Sequence, residues 1–188
     1  MATQPQTHYW TYEDLLALPD DGKRYEIIEG VPHEMPAANS AHARIITNLM
    51  VYLLGPLMAT MGIQLFTAPL DVFIRDGDPV QPDLMILLPE QRDLIAKRGI
   101  EGPPALVVEV LSPSNHTHDQ ITKRALYARA GVREYWIVSP EALIVEILVL
   151  DGERYTVHAR VGGDEPLTSP TLPTLTGTAA QIFGDLGE

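Results

Sequence analysis

Two acidic residues stand in runs that should otherwise be apolar throughout. Glu109 interrupts Ala105-Leu106-Val107-Val108-Glu109-Val110-Leu111, a stretch whose β-branched and leucine content predicts a strand covered on both faces. Asp83 has similar company in Val80-Gln81-Pro82-Asp83-Leu84-Met85-Ile86-Leu87-Leu88. Burying a lone carboxylate costs several kcal/mol, so such a group is protonated, paired, or bound to a cation. With no cysteine in the chain, two acids on two apolar strands predict a divalent-metal site of oxygen ligands, and so a hydrolase. Each acid also has a plainer reading: Glu109 as half of a structural ion pair, and Asp83 as the cap of a turn opened by Pro82. Pro82 removes a ladder hydrogen bond, which predicts a strand bent or unpaired beside Asp83. A local rule broken next to an acid is what functional sites display.

The segment after Glu109 adds cationic and polar groups. Leu111-Ser112-Pro113-Ser114-Asn115 predicts a polar turn, and residues 117–130 a helix closed by Gly131. On that helix Asp119, Lys123 and Tyr127 share one face, while Ile121, Ala125 and Ala128 occupy another that suits packing on a sheet. A lysine aimed at two metal-bound carboxylates could orient a nucleophilic water or stabilise charge on a phosphoryl group. Taken alone, Asp119 and Lys123 read equally as an exposed pair worth ~0.3–0.5 kcal/mol. Lys123, Arg124, Arg129 and Arg133 form the densest basic cluster, either a solvated helix face or a set of phosphate contacts. His116-Thr117-His118 could form a small metal clip, but imidazole suits zinc better than magnesium, and a solvent-facing turn is the plainer reading.

The elements that must position these groups follow from pattern. Residues 11–16 predict a short capped helix ended near Pro19, residues 24–28 and 31–35 a hairpin turning at Glu29-Gly30, and Asn39-Ser40 the start of a long helix. Ile45, Ile46, Leu49, Met50, Leu53 and Leu54 give that helix a buried face, with a kink expected at Gly55-Pro56. Strands are expected at 63–66, 71–74, 80–88, 105–111, 134–138, 143–150 and 154–159, with a surface connection carrying one helical turn over 89–104 and a final helix at 179–183. Strands with helices on both sides predict an α/β sandwich around a mixed sheet. The 188 residues fit a single domain, expected over 9–186 after a flexible 1–8.

Composition narrows the partners. A net charge of −12 counts against loose, sequence-independent DNA binding, so any nucleic-acid contact must come from a local basic patch. No apolar run approaches the ~18 residues of a membrane span, and residues 1–8 lack the basic-then-apolar order of a signal peptide. Absence of cysteine excludes disulfides and fits a cytoplasmic location.

The ordered series Arg24-Tyr25-Glu26-Ile27-Ile28-Glu29-Gly30, His42, Gln81-Pro82-Asp83, Val108-Glu109-Val110-Leu111-Ser112-Pro113-Ser114, Asp119, Lys123, Tyr127 and Glu134-Tyr135-Trp136-Ile137-Val138 resembles the Uma-type family of "putative restriction endonucleases". These belong to the PD-(D/E)-x-K nuclease superfamily, and the likeness runs from about Tyr9 to Val149. It implies a restriction-endonuclease-like mixed sheet flanked by helices, with an N-terminal hairpin and antiparallel C-terminal strands. It further implies that Asp83, Glu109 and the backbone carbonyl of Val110 bind Mg²⁺ or Mn²⁺. The motif's lysine should lie two residues after Glu109, where this chain has Leu111, and the resemblance points to Lys123 as its replacement. Glu26 matches an upstream glutamate that can hold a metal-bound water, and His42, Asp119 and Tyr127 match family positions as supporting residues.

Two functions of different kinds follow. One is a metal-dependent endonuclease acting on DNA, expected as a homodimer because a duplex has two antiparallel strands to cut. The run Leu143-Ile144-Val145-Glu146-Ile147-Leu148-Val149-Leu150 offers it an apolar surface, or is an internal strand covered by the chain's own C-terminal segment. The other is a nuclease fold kept as a nucleic-acid or protein interaction module, which the displaced lysine and acidic charge favour. Retention of Asp83, Glu109, Lys123 and Glu26 together favours the enzyme.

Overall fold

Helix α1 (Tyr12–Leu16) starts at a reciprocal cap: Thr11 accepts from the Asp14 N–H, and the Asp14 carboxylate accepts from the Thr11 N–H. The computed structural model describes residues 8–19, 22–35, 39–74, 79–112 and 118–184, with the backbone alone over 118–120. Strands β1 (Arg24–Ile28) and β2 (Val31–Met35) form the expected hairpin, turning through Glu29 and Gly30 at φ 53° and 72°.

Asn39 caps α2 (Ser40–Asn48), its Oδ1 accepting from the His42 N–H at 2.9 Å. The helix runs on through a π-helical turn, Leu49–Leu54, into α3 (Gly55–Met61). Here the expected irregularity takes a specific form. The Gly55 N–H bonds to the Met50 carbonyl five residues back, and Pro56 has no N–H to continue the ladder. A Cβ on Gly55 would lie 2.3 Å from that carbonyl oxygen, so the turn requires glycine. By length and composition Ser40–Met61 is apolar enough to cross a membrane, a feature that counting contiguous apolar residues passed over. Its face of Ile45, Leu49, Leu53, Leu54 and Leu57 is instead buried in the core of the fold.

The remaining elements are β3 (Gln64–Thr67), β4 (Val72–Phe73), β5 (Pro79–Val80), β6 (Leu84–Leu87), a 3₁₀ helix (Pro89–Leu94), β7 (Ile95–Ala96), β8 (Gly99–Glu101), β9 (Leu106–Val110), α4 (His118–Ala130), β10 (Glu134–Ser139), β11 (Ile144–Asp151), β12 (Arg154–Gly162) and α5 (Ala179–Phe183). Six strands form one mixed sheet in the order β12-β11-β10-β9-β6-β3, with β9 and β10 parallel and the other neighbours antiparallel. On one face lie the α2–α3 helix, α5 and the residues Leu167, Leu172 and Leu175. On the other lie α4 and part of a small four-stranded sheet, β5-β4-β8-β7.

Two expectations change. The run 80–88 is divided: its start joins the small sheet as β5, its end joins the main sheet as β6, and Pro82 and Asp83 occupy the break. Residues 89–104 carry the expected helical turn as the 3₁₀ helix, but they also supply two strands of the small sheet. The apolar run 143–150 has its explanation inside the chain. β11 is an internal strand between β10 and β12, and Val145, Ile147 and Leu148 are buried.

Glu134, given no role by the sequence reading beyond its place in the family series, locks β10 to the C-terminal segment. It is fully buried; Oε1 accepts from Trp136 Nε1 at 2.6 Å and Oε2 from the Thr171 N–H at 2.9 Å. Glu134→Ala strands two buried donors and should lower the unfolding free energy by roughly 2–4 kcal/mol in chemical denaturation. Glu134→Gln keeps one acceptor and should cost less than the alanine.

Candidate active site

The small-sheet strand ends at Val80, and Gln81 and Pro82 lead to Asp83, one residue before β6. Extending the β6–β9 register, in which Leu84 pairs with Val108, sets Asp83 opposite Glu109 on the same sheet face. Asp83 Oδ2 accepts from the Val110 N–H at 2.8 Å, so the acid is fixed to the neighbouring strand, and it lies 3.0 Å from His42 Nε2 at the start of α2. Glu109 Oε1 receives Tyr127 Oη at 2.7 Å and Lys123 Nζ at 3.2 Å, both from α4, where one helical turn separates the two donors. Lys123 Nζ also lies 3.0 Å from Glu26 Oε1 on β1. Two strands of the main sheet, the hairpin and two helices thus converge on one cluster.

Lys123 departs from the exposed-pair reading. It is 8% exposed and held between two carboxylates rather than on the helix surface. The side chain of Asp119 and residues 113–117, including His116, lie outside the described residues, as does the side chain of His118.

The electrostatics follow from burial and from an excess of acids. Burial pushes the Glu109 carboxyl up to about 7; Lys123 opposes the rise, and Asp83 and Glu26 add to it. For Lys123, burial works against the charge, but Glu109 and Glu26 outweigh it and raise the ammonium above its ordinary range. His42 is likewise raised, because its bond to Asp83 overcomes burial. Burial and Glu109 hold the Tyr127 phenol well above its usual value. Lys123 and Tyr127 are therefore permanent donors at neutral pH, suited to stabilising negative charge and not to removing protons.

The donor set fits a hard divalent cation. Asp83, Glu109 and Glu26 are three acids against one lysine, which leaves a negative balance in a poorly hydrated place. The contacts described use Asp83 Oδ2 and Glu109 Oε1, so Asp83 Oδ1 and Glu109 Oε2 take part in none of them. Glu26 Oε2 is buried with no hydrogen-bond partner among the described residues, an acceptor suited to a cation's water. No group of three or more ligating His, Asp or Glu side chains converges among the described residues. Asp83 and Glu109 would therefore supply two carboxylates, with water completing the shell of a hard cation.

The basic candidates separate from this cluster. Arg124 donates to the Tyr155 carbonyl at 3.2 Å, and Arg129 pairs with Glu29 at the hairpin turn. Arg133 precedes β10, at the opposite end of the sheet from Glu109, 3.8 Å from Glu90. Sequence reasoning gave no role to Arg24, two residues before Glu26 and on the same strand face; the two-residue alternation was the available signal.

The chain matches the Uma2 family, described as "Putative restriction endonuclease", over residues 12–180. Among solved structures it is similar to a "putative nuclease belonging to DUF820" from Anabaena variabilis ATCC 29413, with a TM-score of 0.74 and 18% identity, covering 94% of this chain and 99% of that one. At that identity the likeness concerns the fold. No curated protein matches the chain.

Proposed function

The chain belongs to the Uma2 family, and on that premise we propose that it is a Mg²⁺- or Mn²⁺-dependent endonuclease hydrolysing phosphodiester bonds in DNA. Family and fold support a nuclease function. The observation that carries the finer reading is the convergence of Asp83 and Glu109 at a broken strand, with Lys123 buried beside Glu109 and Glu26. An interaction module has no use for such an assembly, which costs stability to bury.

In this reading Asp83, Glu109 and the Val110 carbonyl would hold a divalent cation, which would supply activation of water and stabilisation of charge on the scissile phosphate. Glu26 Oε2, buried and without a hydrogen-bond partner among the described residues, would be the acceptor that positions a water there. Lys123 supplies a fixed positive charge beside it, and Tyr127 keeps the Glu109 carboxylate turned toward the site. His42 bonds Asp83 and completes its orientation.

A cytoplasmic homodimer belongs to the same proposal, on the need to cut two antiparallel strands; the buried β11 run does not supply its surface. Light scattering should return twice the 20.7 kDa chain mass, and a monomer mass would favour a nicking enzyme. Incubation with supercoiled plasmid and Mg²⁺ or Mn²⁺ should give nicked and linear DNA, and chelator should stop it. Cleavage of RNA alone would move the substrate; cleavage of neither would leave the interaction module.

A further inference from the structure

A cleft of about 290 Å³ opens between α1 and β1. Its walls include Tyr12, Lys23, Arg24, Tyr25, Asp71 and Gln81. Two of these continue directly into the site. Arg24 alternates with Glu26 along β1, so their side chains leave the same strand face, and Gln81 precedes Asp83 by two residues. Arg24 is half-buried, yet its guanidinium is in no hydrogen bond or ion pair with any described residue. It is close enough to His42 to oppose that imidazole's charge.

A guanidinium that no acceptor of the described residues engages is available to a ligand, and its planar fork suits two phosphate oxygens. The other arginines near α4 have their acceptors within the fold. On the cleft wall, Gln81 Nε2 donates to Asp71 Oδ1 at 2.9 Å, which leaves Gln81 Oε1 buried and without a partner among the described residues. A guanidinium, two tyrosines and an unmatched acceptor lining one cleft suit the phosphate, the base face and the base edge of a nucleotide. The volume lies near the lower limit of small-ligand pockets, ~300 Å³, too small for a duplex and suited to a single unit.

We propose that Arg24 anchors the backbone phosphate next to the scissile one, and that the α1–β1 cleft takes the nucleotide attached to it. The inference rests on the nuclease reading and names which part of the substrate the protein grips. It also answers the acidic net charge, since one well-placed arginine gives local attachment without a broad basic face.

Cleavage kinetics on an oligonucleotide duplex in Mg²⁺ test it, comparing the parent with Arg24→Ala, Arg24→Lys and, as a charge control, Arg154→Ala at the distant β11–β12 turn. Arg24→Ala should raise KM about tenfold or more and reduce the slope of log KM against log salt by about one. Arg24→Lys should fall between, and Arg154→Ala should match the parent. Deoxyadenosine monophosphate should inhibit the parent more strongly than inorganic phosphate does, and Arg24→Ala should lose that difference. If the parent cuts and Arg24→Ala keeps its KM and salt slope, the anchor is refuted while the nuclease reading stands. A fall in kcat alone also refutes it, because Arg24 would then act on the site and not on binding. A parent that neither binds nor cuts nucleic acid removes both.

Discussion

Lys123→Met is expected to lower the unfolding free energy of the metal-free protein by about 3–5 kcal/mol, the usual cost of removing one partner from a buried ion pair. Methionine keeps much of the volume, so the loss is electrostatic: Glu109 and Glu26 lose the cation that lies 3.2 Å and 3.0 Å from them. This reverses the stability expectation for a helix-surface lysine, which would cost almost nothing. The effect has a definite pH sign. Glu109 already titrates near 7 in the folded state against 4.5 as a model group, so the native protein holds more protons than the unfolded chain between those values. Stability therefore falls as pH rises through that window, and removing Lys123 pushes the upper limit higher. Denaturation in chelator should show the parent–variant gap widening from pH 5 to pH 8. Cleavage by the variant should be lost even where it is folded, and a variant that cuts at the parental rate would strip Lys123 of its role.

Asp83→Asn should reduce cleavage by about 10³-fold or more, since losing a metal-binding carboxylate removes about 4 kcal/mol or more of transition-state stabilisation. The fold should survive. The amide oxygen can still accept from the Val110 N–H, which Asp83 does now at 2.8 Å, so the link between β9 and the strand break persists. Thermal melting within a few degrees of the parent, together with loss of cleavage, separates a chemical role from a structural one. An intact rate would assign Asp83 to turn capping, the plainer reading its sequence context allows.

The fold was legible wherever a single local rule governed. The hairpin at Glu29-Gly30, the Asn39 cap and the strand carrying Glu109 lie where turn chemistry, capping and apolar content put them. Pro82 was read as a defect in a strand, and it is the point where the chain passes between two sheets. What was hidden depended on long-range partners. The residues over 89–104 look like a surface loop because their strands are only two and three residues long, too short for periodicity to register. Glu134 is an acid in an apolar strand like Glu109, yet its partners are Trp136 and the distant Thr171 backbone. A buried carboxylate in a strand therefore does not by itself distinguish a lock from a catalytic site. For Lys123, helical spacing gave the shared face with Tyr127, but nothing local could show that Glu26 on another element closes over it. Arg133, next to the other basic residues in sequence, was separated from them by the strand direction of β10.

The central claim is that Asp83 and Glu109 together hold one divalent cation. Electron paramagnetic resonance of Mn²⁺ titrated into the parent, Asp83→Asn and Glu109→Gln measures this without reference to cleavage. The account predicts one bound Mn²⁺ per chain in the parent and its loss, or an affinity at least about tenfold weaker, in each variant. Equal Mn²⁺ binding by the parent and both variants, or none by the parent at millimolar metal, would contradict it.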